Sequence, residues 1–321
     1  MNFGIVGTNF ISDAFVEASN ASESAKAVAV YSRKEETGLE FAKKNGVSKV
    51  YTSYDEMLTD ADIEAVYIAS PTMCHLEHAK KAIECGKAVL CEKMITASLD
   101  EFYELKACVS SHGGILIEAM RPDFDLLISA LRNELSDSGK VTDAYFEFRQ
   151  YSRRYDKFKE GIVMNAFDPS MKNSALADIG IYPLHLCVSL FGEPLSVTSE
   201  AEFLHNGFMA DGVSTLHYDG FDAKVVYSKI VEGENVSIIR TERKELILNK
   251  VSEPISLTVR SEEEKVYEKP EGDSNMANEV SEFVRIVTER DTAKANRLLS
   301  VTEATMKTVD KIYRDCGVKF N

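Results

Sequence analysis

Between Phe3 and Ala119, short apolar runs alternate with amphipathic stretches, and this alternation restricts the fold more than any other feature of the chain. The runs cover residues 3–6, 27–31, 50–51, 65–69, 88–91 and 115–117. Runs this short and this apolar read as strands buried on both faces, and the amphipathic segments between them read as helices covering a parallel sheet. Helix ends are marked as well. Ser98 followed by Glu101 has the form of a capping box, and Gly86 is placed to stop the helix carrying Ala79, Ala82 and Ile83. The expectation is an α/β fold whose N-terminal domain, residues 1–120, is a doubly wound parallel Rossmann sheet.

The texture changes after Arg121-Pro122. A helical stretch at 126–135 leads into six alternating segments, 141–148, 197–203, 213–218, 223–230, 236–240 and 245–248. Their hairpin-like spacing implies a large, mostly antiparallel sheet. Helical periodicity returns at 275–286 and 296–314, so residues 121–321 are expected to form a C-terminal α+β domain for substrate binding and oligomerisation. A length of 321 residues suits two domains.

A net charge of −15 argues against a nucleic-acid partner, because phosphate binding needs a basic face. No apolar run approaches the ~18 residues of a membrane span, and the N-terminus enters a strand without a basic leader, so the expectation is a cytoplasmic protein with no membrane partner. The six cysteines show no metal-binding spacing and read as apolar fillers of a reduced interior; no metal site is expected.

Candidate cofactor residues fall where apolar runs end. Gly7 opens Gly7-Thr8-Asn9-Phe10-Ile11-Ser12, the place where a dinucleotide fold brings pyrophosphate against a helix N-terminus, although only the first glycine of G-x-G-x-x-G is present. Asn9 is tolerable at the second position because Asn visits the left-handed region more readily than most residues. By itself this motif is equally an ordinary strand-to-helix turn. The second run ends in Ser32-Arg33-Lys34, with two cations where an NAD site offers a carboxylate, which favours NADP(H) and leaves NAD(H) as the alternative; a solvated helix start is the plain reading. Ser70-Pro71-Thr72 and His75 follow the fourth run, and Glu92-Lys93 the fifth. Capping would account for Thr72, and a surface ion pair for Glu92 and Lys93.

Taken in order, GIVGTNFIS, VYSRK, ASPTMCH, GKAVLCEKM and ADIGIYPLH resemble the Gfo/Idh/MocA oxidoreductases over essentially the whole chain, and the last of them resembles the dihydrodiol dehydrogenase and glucose-fructose oxidoreductase branch. The resemblance implies that Lys93 is the lysine of the E-K-P motif, that Tyr182 is the acid/base tyrosine, and that Asp178 and His185 bind substrate. Three departures stand out: Asn9 replaces a glycine, Met94 replaces the proline, and Lys172-Asn173-Ser174 stand where glycines are common.

The residue types suit the implied chemistry. A tyrosine, ordinarily titrating near ~10, needs a neighbouring cation to ionise near neutrality, and Lys93 is the candidate. Asp178, Tyr182 and His185 would share one face of a helix, with Pro183 admissible only in an early turn. The implied activity is hydride transfer between a nicotinamide and a sugar, polyol or related cyclic alcohol or carbonyl. The alternating strands from Val213 to Ile230 supply apolar area for an interface, so a homodimer or higher homo-oligomer is expected. The competing reading is a non-catalytic dinucleotide-sensing regulatory protein of the same fold, suggested by Asn9 and Met94.

Overall fold

A computed structural model describes residues 1–318 as two units, one of Met1–Ala119 with Ser274–Ser300, the other of Met120–Asp273 with Val301 onward. In the first, six parallel strands, β1 (Asn2–Val6), β2 (Lys26–Tyr31), β3 (Lys49–Tyr51), β4 (Ala65–Ile68), β5 (Ala88–Glu92) and β6 (Leu116–Ala119), lie in the order β3-β2-β1-β4-β5-β6. Helices α1 (Phe10–Asn20), α2 (Glu35–Asn45), α3 (Tyr54–Thr59), α4 (His75–Glu84) and α5 (Leu99–His112) connect them. This is the doubly wound order, with the direction of winding reversing between β1 and β4.

Every residue of β4 and β5 is buried. Tyr67 stacks on Phe15 at 3.8 Å, and Phe3 meets Phe15 and Phe283 at 5.2 and 5.6 Å between ring centroids. A phenol buried this deeply needs a partner for its hydroxyl, and Tyr67 donates to Glu92 at 2.6 Å. The Ser98 hydroxyl accepts the Glu101 N–H as a capping box requires, while the Glu101 carboxylate reaches back to the Ala97 N–H.

In the second unit, α6 (Leu126–Ser136) precedes β7 (Val141–Arg149) and α7 (Arg153–Lys159), and α8 (Ile181–Phe191) leads to β8 (Ser196–Phe203), β9 (Met209–Tyr218), β10 (Phe221–Ser228), β11 (Val236–Thr241), β12 (Glu245–Asn249), β13 (Ser256–Arg260) and β14 (Glu264–Glu268). The eight strands are ordered β14-β13-β12-β11-β7-β10-β9-β8 and pair antiparallel except for β7 with β10. Six of the eight match the sequence expectation, and β13 and β14 extend the sheet beyond it. Helix α9 (Asn275–Glu289) counts with the first unit, and α10 (Thr292–Asp315) is divided between the two at Ser300.

Helix α8 packs on β7 and β10 with every residue from Ile181 to Val188 buried. A single π-turn, Leu176–Gly180, leads into it. A Cβ on Gly180 would stand 2.6 Å from the Tyr227 ring, so this turn lies directly on β10 only because the residue is glycine. The cysteines are all free, but Cys85 is exposed and corrects the expectation that each fills the interior: it follows the end of α4, where the chain turns outward. Among the described residues no helix is long and apolar enough to cross a membrane, and no cluster of His, Cys, Asp and Glu could hold a metal.

Candidate functional site

In the first unit the four segments singled out above share one edge of the sheet, because β1, β2, β4 and β5 are parallel and each segment follows the carboxyl end of its strand. Gly7 has φ +108, and a Cβ there would stand 2.7 Å from the Ala69 carbonyl oxygen. Only glycine lets the β1–α1 turn approach the end of β4 this closely. Asn9 is in extended conformation, φ −90, which corrects the idea that it exploits the left-handed region. It serves as the N-cap of α1: its Oδ1 accepts the N–H groups of Ile11 and Ser12 at 3.0 and 3.2 Å, and its Nδ2 donates to the Ala69 carbonyl at 2.8 Å. Thr8 and Ile11 are half-buried, and the Phe10 ring is exposed.

At the end of β2, Arg33 and Lys34 are exposed and Ser32 half-buried; the Ser32 hydroxyl donates to the Lys34 carbonyl at 2.9 Å and so shapes the turn that carries the two cations. At the end of β4, Pro71 is exposed, and Thr72 opens a 3-10 turn ahead of α4. The Ser70 hydroxyl pairs with His78 Nδ1 at 3.0 Å. His78, absent from the sequence reading, packs edge-on against Tyr54 and Tyr31, and burial pushes its pKa down to about 4. Its one sequence signal is its place a helical turn beyond His75.

His75 and Glu92 lie inside the first unit. The His75 ring is buried, with Nδ1 2.9 Å from the Met94 carbonyl and Nε2 2.8 Å from the Ser70 carbonyl, and burial holds its pKa below the usual value. It therefore ties the ends of β4 and β5 together. Glu92 accepts from Tyr67 and, at 3.3 Å, from the Lys93 N–H. Lys93 is half-buried. The peptide bond between Lys93 and Met94 is cis. The Met94 side chain is buried, and the Ile95 N–H donates to Glu118 at 2.9 Å, so packing and hydrogen bonds define the segment after Lys93 where the family motif has proline.

These features fit a dinucleotide. A glycine stands at the closest backbone approach, a helix N-terminus faces the point where the winding reverses, and cations take the place of a carboxylate after β2.

In the second unit the motif at 178–185 is split by the π-turn, and each member has its own partner. Asp178, about a third exposed, pairs with Lys229 at 2.7 Å. Tyr182 is 6% exposed, and its phenol oxygen accepts a hydrogen bond from the Arg121 guanidinium at 3.2 Å. His185 is fully buried, with Nε2 2.8 Å from Asp123 and Nδ1 3.3 Å from the Thr305 hydroxyl. Arg121 and Asp123 come from one 3-10 turn, Arg121–Phe124. Pro183 is the third residue of α8, an early-turn position that a proline tolerates. Lys172 has φ +52, the left-handed region that favours glycine, and the Ser174 hydroxyl accepts the Ala177 N–H at 3.0 Å and pairs with Tyr313 at 2.8 Å. Sequence reasoning overlooked Arg121, Asp123 and Lys229 as partners of this motif; no spacing rule connects them to it.

A family described as "Oxidoreductase family, NAD-binding Rossmann fold" matches residues 1–120. The scyllo-inositol 2-dehydrogenase (NADP(+)) of Bacillus subtilis is 32% identical over 322 residues, covering 100% of this chain and 98% of that protein. A mouse trans-1,2-dihydrobenzene-1,2-diol dehydrogenase is 30% identical over 67% of this chain and 64% of its own length. Among solved structures, a 3-ketoreductase from Actinomadura kijaniata superposes with a TM-score of 0.86 at 19% identity over 98% of both chains, a likeness of fold.

Proposed function

From the premise that the chain belongs to the Gfo/Idh/MocA oxidoreductase family, we propose that it is an NADP(H)-preferring dehydrogenase or reductase of neutral polyols, cyclitols foremost. The observation that carries the reading is the Tyr182 phenol held by a guanidinium one short turn from a charged Asp178. NADP(H) preference rests on Arg33 and Lys34 standing at the end of β2 without a carboxylate.

When bound, the nicotinamide accepts or supplies the hydride. In the oxidising direction, the carbinol carbon loses that hydride and its hydroxyl proton passes to deprotonated Tyr182 Oη, leaving a carbonyl; reduction reverses both transfers. Arg121, cationic at any working pH, balances the charge that the phenol oxygen carries. The Lys93 ammonium polarises the substrate oxygen. Asp178 accepts a hydrogen bond from a neighbouring hydroxyl. His185, buried between Asp123 and Thr305, acts by holding α8 in place.

The protein is further proposed to be cytoplasmic and to self-associate through the eight-stranded sheet, where Val213 and Val266 remain exposed. The test of activity is absorbance at 340 nm with NADP+ and a panel headed by scyllo-inositol. Oxidation of at least one neutral polyol is expected, with NAD+ the poorer cofactor. Silence across the panel and across the matching ketones, from protein that binds NADPH, would refute the reading and favour a dinucleotide sensor.

A further inference from the structure

Lys229 is a lysine enclosed almost completely, with 4% of its side chain exposed, just past the end of β10. Its ammonium is fully engaged. It donates to the Ala166 carbonyl at 2.7 Å, pairs with Asp178 at 2.7 Å, and lies 4.7 and 5.3 Å from the ring centroids of Phe167 and Phe208. The two rings are fully buried, so water is excluded from that side and the rings' negative faces help to hold the charge.

The local geometry explains why this lysine meets this aspartate. Along an extended chain, residues two apart project to the same side, which puts Lys229 on the side of Tyr227. Tyr227 is the residue on which the π-turn rests through Gly180. Two residues beyond Tyr227 and two residues before Gly180, Lys229 pairs with Asp178 of the turn.

We propose that Lys229 is a positioning residue that determines specificity: it orients the Asp178 carboxylate and cancels its charge, so that the acceptor beside Tyr182 suits neutral hydroxyl groups and gives no advantage to substrates bearing an ammonium. An uncompensated carboxylate would draw cationic amino sugars and aminocyclitols. This inference rests on the polyol-oxidising reading above.

The experiment compares scyllo-inositol with scyllo-inosamine, in which an ammonium replaces one hydroxyl, as substrates with NADP+ for the wild type, K229M, K229R, D178N and the K229M/D178N double variant. K229M is expected to lower kcat/KM for the inositol about tenfold and to raise the amine-to-inositol ratio about tenfold, while the NADPH dissociation constant stays put. D178N is expected to move the ratio the opposite way, K229R to leave it near the wild-type value, and the double variant to be no worse on the inositol than the poorer single one. A role in stability alone would lower both activities in proportion. Wild-type turnover combined with an unchanged ratio in K229M overturns the inference while sparing the functional reading. Should K229M fail to fold in a melting experiment, D178N decides alone, and an unmoved ratio there overturns it. If the wild type binds NADPH and oxidises neither compound nor any other polyol, the functional reading fails and takes this inference with it.

Discussion

The Arg121 guanidinium donates to the phenol oxygen of Tyr182 at 3.2 Å, so a cation beside the acid/base candidate comes from the turn Arg121–Phe124 of the same unit. The guanidinium and the phenol have separable effects. Tyr182→Phe removes the proton carrier and is expected to lower kcat by about 10²- to 10⁴-fold. Arg121→Met keeps the phenol and should cost about 10- to 100-fold. Steady-state kinetics together with NADPH titration check both, and an Arg121→Met enzyme with full kcat would show that the guanidinium contributes only to packing.

Arg33 stands exposed at the end of β2, its place set by the turn that Ser32 closes onto the Lys34 carbonyl. Arg33→Ala is expected to weaken NADPH binding by about 10- to 100-fold and to leave NADH within about twofold, since only the former carries the extra phosphate. Fluorescence titration with both cofactors measures this. Equal losses for the two would place Arg33 elsewhere in the cofactor's path.

Acid should destabilise the first unit through His78. Its folded-state pKa is lowered by burial from 6.5 to about 4. Between those two values the unfolded chain takes up a proton that the folded chain does not, so stability falls as pH drops from about 6.5 to about 4 and this contribution is spent below that. The loss from this one group is on the order of 3 kcal/mol. Buried His75 works in the same direction. Urea unfolding at several pH values should show a shallower acid limb in His78→Gln, and an unchanged slope would remove His78 from the explanation.

Gly180 carries the contact that lays the π-turn on β10. Gly180→Ala would force its methyl into the Tyr227 ring and is expected to cost about 1 to 3 kcal/mol in urea unfolding. Because Asp178 and Tyr182 lie two residues to either side of Gly180, activity should fall by more than stability alone explains. A variant that melts and turns over like the wild type would mean that the turn shifts freely.

The first unit was legible in the sequence because each strand is an uninterrupted apolar run and each helix has a marked end, so local and global signals agree. The second was legible as far as β12. β13 is a five-residue strand after Pro254 with only Leu257 and Val259 directed inward, and β14 is an edge strand in which Glu264, Lys265 and Glu268 face solvent. Neither produces the periodic signal of a longer strand. The motif at 178–185 was visible as a pattern, but its partners were not. Lys229 and Arg121 are separated from it by 51 and 61 residues in sequence, and only folding pairs them with Asp178 and Tyr182. The regular helical face expected for Asp178, Tyr182 and His185 fails because a π-turn, which no spacing announces, adds a residue to the turn just before α8.

On the proposed mechanism, Tyr182 carries the proton of the substrate hydroxyl during hydride transfer, and Arg121, bonded to its phenol oxygen, acts through it. Single-turnover absorbance at 340 nm, with enzyme in excess over NADP+ and saturating scyllo-inositol, tests it in the wild type, Arg121→Met, Tyr182→Phe and the double variant. The account predicts a fast rise in the wild type, slow rises in both single variants, and a double variant scarcely slower than the worse of them, with NADPH affinity preserved throughout. Single variants that react at the wild-type rate, or losses that simply multiply in the double variant, would contradict it.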